Sequence, residues 1–420
     1  MIEQRIQTHR YENGLVLVVE TLPETRAVAC EFLIPAGSAF DPPGRNGTAN
    51  LLSDMIVRGA GAYDARQLAD RFDFLGVQFG THAGTAHMWL SFATLSDRLM
   101  DVLPLCADVI LRPHFPEKDF AAGKESVAQS LRAIEEDPLE KLTVELRRHA
   151  LPEPWSKPSE GTLEDLPRIT LDDVREHYRR HVRPAGTIVG VAGRIEFERI
   201  RDALGELLAG WSGPPEERIR ARWDGPRVVH LPHASHQTHI AVAFEAVPYA
   251  DPQHYDAWMV ASVLGGGSSS RLFTEVRERR GLCYSVYASL VCGKGFGRIV
   301  VYTGTTADRA QETLDVMWAE FRRLGEPPDP AAGRGVSEHE LRRSKARVKS
   351  AMIMQQELAG ARASAIARDW SHLGRVRTAD EIRRAVDAVS AESIHHYIRQ
   401  HPFANPTVVT IGPEPLEVPR

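Results

Sequence analysis

Residues 170–193, TLDDVREHYRRHVRPAGTIVGVAG, return in altered form at 389–412, VSAESIHHYIRQHPFANPTVVTIG. At an offset of 219 positions, His177 meets His396, Tyr178 meets Tyr397, Val189 meets Val408 and Gly193 meets Gly412. Each copy reads as a helix, a proline-containing turn and a β-branched strand ending on glycine. An earlier segment, Leu68–Val77, resembles Leu272–Leu282 at an offset near 205. Both read as a helix stopped by glycine and followed by the start of a strand. The two offsets differ by about the length of Gly325–Val336, GEPPDPAAGRGV, which reads as a surface insertion. Two long copies of one unit, rather than a short-period solenoid, constrain any fold proposed for the chain.

The division between the copies falls at Trp211–Arg227, WSGPPEERIRARWDGPR, rich in proline, glycine and charge as linkers are. It separates a domain at 1–215 from one at 225–420, in keeping with a chain of 420 residues. Strands are expected at Leu15–Glu20 and Val28–Ile34 in the first copy and at His239–Phe244 in the second. Helices are expected at Phe115–Ile134, Glu164–Arg180 and Ala307–Leu324. Segregated strands and helices predict an α+β class, with helices layered on a mostly antiparallel sheet in each domain.

A net charge of −5 argues against a nucleic-acid partner. The basic cluster Arg342-Arg343-Ser344-Lys345-Ala346-Arg347 reads as a solvated helix face. The four cysteines, Cys30, Cys106, Cys283 and Cys292, form no CxxC pair and no disulfide framework. No apolar run of about 18 residues occurs, so no membrane span is expected. The first residues, MIEQRIQTHRYENGL, lack the apolar core of a secretion signal. The cytoplasm is the expected compartment, and a periplasmic address would need a leader already removed.

Two segments carry chemistry. The first is the run from Gly265 to Tyr287, GGGSSSRLFTEVRERRGLCYSVY. Ser268 to Ser270 offer helix N-caps, Gly281 suits a helix stop, and Tyr284 and Val286 are expected on one face of the following strand. Arg277 and Tyr284 form a cation and a phenol at a loop edge, the parts needed to hold a carbonyl and an oxyanion. Gly265, Gly266 and Gly267 are not followed by GK[ST], so a phosphate-binding P-loop is not expected. The second segment is Gly47–Gly59, GTANLLSDMIVRG. Leu51, Leu52, Met55 and Ile56 fill one helical face, while Asn50, Ser53 and Asp54 share another at i, i+3 and i+4.

On these residues the chain resembles peptidase family M16, the pitrilysin and mitochondrial-processing-peptidase type, in its bacterial two-repeat form. The family carries HxxEH inside a frame that Gly47, Met55 and Gly59 keep here. Asn50 and Asp54 stand where the resemblance places histidine ligands, and Ser53 where it places the glutamate base. The third ligand, a glutamate about 76 residues further on, falls at Ser130; a shifted register brings Glu125 or Glu135 instead. Asn13-Gly14-Leu15, Glu153-Pro154-Trp155, Tyr178, Arg183-Pro184 and Gly193 also follow the family order. So does the six-residue spacing between Arg277 and Tyr284.

The resemblance implies a LuxS/MPP-like metallohydrolase duplication, two homologous sheet-plus-helix domains closing like a clam. It also implies that Arg277, Tyr284 and the Gly265–Gly267 loop bind substrate. Zinc needs three good protein ligands and an open position. Asp54 alone is a fair ligand, and Ser53 cannot act as a carboxylate base. The chain is therefore expected to bind no zinc and to be inactive alone. It would be the non-catalytic, substrate-binding subunit of a heterodimeric zinc metallopeptidase whose partner carries HxxEH, acting on an extended peptide. The alternative is a peptidase-derived structural or peptide-binding homodimer without proteolytic role. A working peptidase built on the Asn/Asp site is a third reading, disfavoured by the missing base. His233, His236 and His239 fall on opposite faces if extended, and adjacent His395 and His396 cannot share a helix face, so neither set is expected to hold metal.

Overall fold

The computed structural model describes residues 4–419 apart from 216, 218, 220, 330 and 331. The linker segment and the proline-rich insertion thus lie partly outside the described residues.

Along the chain the strands and helices begin with β1 (Arg5–Arg10), β2 (Val16–Thr21), β3 (Ala27–Ile34), α1 (Thr48–Met55) and α2 (Ala65–Phe74). There follow β4 (Gln78–Ala83), β5 (Met88–Leu95), α3 (Leu99–Leu111), α4 (Glu117–Glu136) and α5 (Pro138–Ala150). Next come α6 (Leu171–His181), β6 (Ile188–Gly193), α7 (Phe197–Leu207), β7 (Val228–Pro232) and β8 (Gln237–Ala246). After α8 (His254–Gly265), a π-helical turn at Phe273–Glu278 leads into β9 (Cys283–Gly293) and β10 (Phe296–Thr306). The chain finishes with α9 (Ala310–Gly325), α10 (Glu338–Gln356), α11 (Ala359–Leu373), α12 (Ala379–Ala388), α13 (Ala391–Gln400) and β11 (Thr407–Gly412).

The expected α+β class holds, with two sheet-plus-helix halves. One sheet runs β1-β2-β6-β3-β5-β4 and the other β7-β11-β8-β10-β9. Apart from β1, the orders are the same when the copies are laid over each other. The repeat seen in the sequence is therefore a repeat of topology. Its two segments become α6 with β6 and α13 with β11. Thr170 and Ser390 cap the two helices through reciprocal capping boxes. β6 and β11 are buried along their whole length. Each pairs in parallel with one neighbour and antiparallel with the other, which explains their β-branched, non-alternating sequences.

The compact units do not follow one cut of the chain. The first comprises Met1–Ala133, Lys157–Arg220 and Ile353–Thr378; the second comprises Ile134–Ser156, Ala221–Met352 and Ala379–Arg420. In the first unit α11 lies across the sheet, with Ile366 and Ala367 against Val16, Val18, Leu33 and Ile188. Its approach is close: a β-carbon built on Gly190 would sit 2.4 Å from the Ala363 carbonyl oxygen. In the second unit α5 packs Leu142, Leu146 and Ala150 on Ala241, Ala243, Val409 and Ile411. Each sheet takes one covering helix from the opposite half of the sequence.

A buried ion pair fixes α11. Arg362 Nε donates to Glu20 at 2.7 Å, and Gln4 donates to the other carboxylate oxygen at 2.8 Å. Removing one member of such a pair strands a buried charge at about 3–5 kcal/mol, whereas replacing both can be neutral. Arg362→Ala is expected to lower the thermal midpoint clearly. The double change Glu20→Gln with Arg362→Met should recover most of the loss in the same calorimetric scan. Equal losses from single and double variants would contradict the pairing.

Helix α6, which packs against α1, carries two histidines held neutral. Burial pushes His177 down to about 4, against a contact of 3.1 Å from its Nε2 to the Ala36 carbonyl. Burial, then the neighbouring His177 and Arg183, pushes His181 down to about 3, where it stacks on Phe40. Asp41 caps α1 by accepting from Gly47 and Ala49 N–H, yet burial lifts its carboxyl to about 7. Between about pH 6.5 and 4 the unfolded chain protonates His177 while the native chain keeps a proton on Asp41, so these two offset. His181 has no such counterpart. Its contribution is whole above its unfolded value and is lost as pH falls towards the folded one. Below about pH 6.5, His181→Phe should lose up to ~1.4 kcal/mol less stability per pH unit than the wild type, read from urea unfolding at about pH 7.5 and about pH 5. Parallel losses in the two proteins would refute this.

Candidate functional site

In the first unit α1 presents the three positions that the resemblance singles out. Asn50 donates its amide to the Glu160 carbonyl at 3.0 Å. Ser53 is buried and donates its hydroxyl to the Asn50 carbonyl at 2.8 Å. Asp54 is engaged by Arg58, whose Nε and Nη2 donate to its two carboxylate oxygens at 2.7 and 3.2 Å. That hydrogen bond raises the Arg58 pKa, as expected of an ionic pair at i, i+4. Helix α4 approaches α1 at Gly123, where a β-carbon would fall 2.8 Å from Asp54 Oδ2. Ser130 stands two turns further along α4, exposed, with its hydroxyl on the Ser126 carbonyl at 3.2 Å. Glu125 pairs with Arg132 and Glu135 with Lys141.

These residues do not fit a zinc ion. The one good ligand, Asp54, has both oxygens on Arg58. The amide and hydroxyls beside it are poor ligands already bonded to carbonyls. Among the described residues no three His, Cys, Asp or Glu side chains converge as a metal site. Arg58 was not singled out from the sequence, although its i+4 spacing from Asp54 gave a signal.

In the second unit Arg277 lies in the π-helical turn, with its guanidinium 4.7 Å from the Phe273 ring centre and 5.2 Å from that of Tyr284. Both distances are within cation–π reach. No carboxylate pairs with Arg277 among the described residues, so its N–H groups remain available. Phe273, four residues before Arg277, was missed in the sequence although the spacing pointed to it. Gly281 stops the turn at φ +58, with its N–H on the Arg277 carbonyl and that of Leu282 on the Val276 carbonyl. Such π turns recur at functional sites because the extra residue re-aims a side chain.

Two local expectations are corrected. Tyr284 and Val286 do not share a face: Val286 is 6% exposed and Tyr284 is 85% exposed. The register between β9 and β10 shifts at Gly304/Thr305, opposite Tyr284, and this bulge throws the phenol outward. The hydroxyls of Ser268 to Ser270 do not cap the following turn, whose first residue has no side-chain cap. Ser270 Oγ is instead buried without a partner among the described residues.

The glycine run divides its work. A β-carbon on Gly265 would meet the backbone nitrogen of Ala288 at 2.2 Å, so this residue lets α8 press on β9. Those on Gly266 and Gly267 would lie 2.6 and 2.8 Å from Nη1 of Arg347. Of the histidines, His239 lies within hydrogen-bonding distance of the Tyr302 hydroxyl, at 3.0 Å. Among the described residues no helix is long and apolar enough to cross a membrane.

Comparison with known proteins agrees with both halves. The family model described as insulinase (peptidase family M16) matches residues 16–159, and that described as peptidase M16 inactive domain matches residues 168–348. The chain is 27% identical over 410 residues to the uncharacterized zinc protease YmxG of Bacillus subtilis (strain 168), covering 94% of this chain and 95% of that one. It is 23% identical to an uncharacterized zinc protease of Rickettsia bellii (strain RML369-C), with 99% of each covered. The fold matches the crystal structure of a peptidase M16 inactive domain from Pseudomonas fluorescens at a TM-score of 0.87 and 21% identity, covering 99% of this chain and 100% of that one. A protease from Helicobacter pylori matches at 0.87 and 17% identity, covering 97% and 100%.

Proposed function

Because the chain belongs to peptidase family M16, we propose that it is the zinc-less, substrate-binding member of a two-chain M16 peptidase, paired with a chain that carries intact HxxEH. The observation that carries this reading is the contrast between its two candidate sites. On α1 every polar group is engaged within the chain. Around Arg277, Tyr284 is 85% exposed and the guanidinium, held against two rings, forms no ion pair with a carboxylate among the described residues.

The chemistry assigned to this chain is binding and orientation. Arg277, clamped between two rings, donates to a peptide carbonyl beside the scissile bond. Tyr284 donates its hydroxyl to the oxyanion that forms there. β9 is an edge strand with 11 residues, and Tyr284, Tyr287 and Val291 stand exposed along it. An extended peptide added to that edge gains main-chain hydrogen bonds and an apolar surface for its side chains. A purely structural descendant of a peptidase has no use for an outward-facing Arg–Tyr pair on an open edge.

The purified chain alone is expected to hold no stoichiometric zinc by metal analysis and to cleave no peptide. Mixed with its HxxEH partner it should support turnover. Tyr284→Phe or Arg277→Ala should then reduce kcat/KM by roughly 100- to 1000-fold, on the scale of one lost oxyanion donor. Tight zinc in the isolated chain, or turnover indifferent to both substitutions, would reject the proposal.

A further inference from the structure

A cavity of about 390 Å³ opens between the serine-rich loop after α8 and helix α10. Gly267, Ser268, Ser269, Ser270, Arg343 and Arg347 are among its lining residues. The two arginines come from the basic cluster that reads as a plain solvated face in the sequence. At i, i+4 they share one side of α10 and turn to the loop. The cluster's other cations are turned elsewhere: Arg342 Nε donates to the Glu338 carbonyl and Lys345 to the Asp387 carbonyl.

The cavity is positive. Arg343 donates one N–H to the Ser269 carbonyl at 2.6 Å, which holds the loop, and pairs with no carboxylate. Arg347 has no carboxylate or carbonyl partner among the described residues, and Gly266 and Gly267 leave space for its guanidinium. The one acid on the wall, Glu340, is already neutralised. Arg271 donates to both of its oxygens at 2.7 and 2.9 Å, and Ser337 also donates to it.

One further feature points to a ligand. Ser270 is 7% exposed, lines the cavity, and its hydroxyl has no hydrogen-bond partner among the described residues. A buried hydroxyl left unmatched is costly unless something completes it. Two guanidinium groups beside an unmatched buried hydroxyl suit a compact oxyanion, which accepts several charge-assisted hydrogen bonds at once.

We propose that the loop Gly267–Ser270 with Arg343 and Arg347 forms an oxyanion-binding site, filled by free phosphate or by a peptide carboxylate. It shares Gly267 with the loop expected to bind substrate but uses neither Arg277 nor Tyr284, and the phosphate test does not depend on the peptidase reading.

The test uses the full chain titrated with inorganic phosphate by isothermal calorimetry. Saturable binding is expected, weakened at least about tenfold by Arg347→Gln. It should be unchanged by Arg342→Gln, which alters the charge equally on the same helix outside the cavity. Unfolding of both variants is followed in parallel, and Ser270→Ala, a small change in the buried wall, should also weaken binding. Competition by a short peptide with a free C-terminal carboxylate, but not by its amide, assigns the site to peptide ends. Phosphate binding without such competition assigns it to phosphate groups. No saturable phosphate binding, or equal weakening by Arg342→Gln and Arg347→Gln, overturns the proposal.

Discussion

Each sheet in this protein has two apolar faces, and one cover for each comes from the other half of the sequence. The first sheet buries its β6 face under α11, pinned by the Glu20–Arg362 pair. The second buries β8 and β11 under α5. Apolar strand faces left in water would cost most of the burial that stabilises such layers. Each compact unit therefore draws residues from both halves of the sequence. The duplication is intact in topology, with one covering helix exchanged in each direction.

On this shared frame the two halves have diverged in their polar chemistry. In the first, the polar side chains of α1 bond to their own surroundings: Asp54 to Arg58, Asn50 to Glu160, Ser53 to the backbone of α1. In the second, a π turn and a β-bulge do the opposite. They take Arg277 and Tyr284 out of the regular helix and strand pattern, leaving Tyr284 exposed and Arg277 partly so. Irregular backbone costs stability, and it persists where surrounding packing over-determines it. Here Gly265 lets α8 pack closely on β9, and Gly281 supplies the positive φ that ends the turn.

Much of the fold was legible because it rests on long periodic segments. Val189 and Val408, Gly193 and Gly412 marked the same central strand twice, and His177 with His396 and Tyr178 with Tyr397 marked the helix before it. At Asn50, Ser53 and Ser130 the sequence itself shows an amide and two hydroxyls, which are poor zinc ligands. Three features were not legible. The crossing of α5 and α11 depends on which sheet face remains open, a tertiary matter. The bulge at Tyr284 depends on the register with β10, so alternation along β9 misplaced the phenol. The arginines at 343 and 347 looked like any basic helix face until the glycine loop was set beside them.

On the proposed reading this chain binds peptide without metal. The most direct measurement is the affinity of the isolated protein for an extended peptide, taken with and without a chelator and repeated for Arg277→Ala. The account predicts the same affinity in both solutions and a clear loss in the variant. Binding that vanishes with the chelator and survives Arg277→Ala would contradict it.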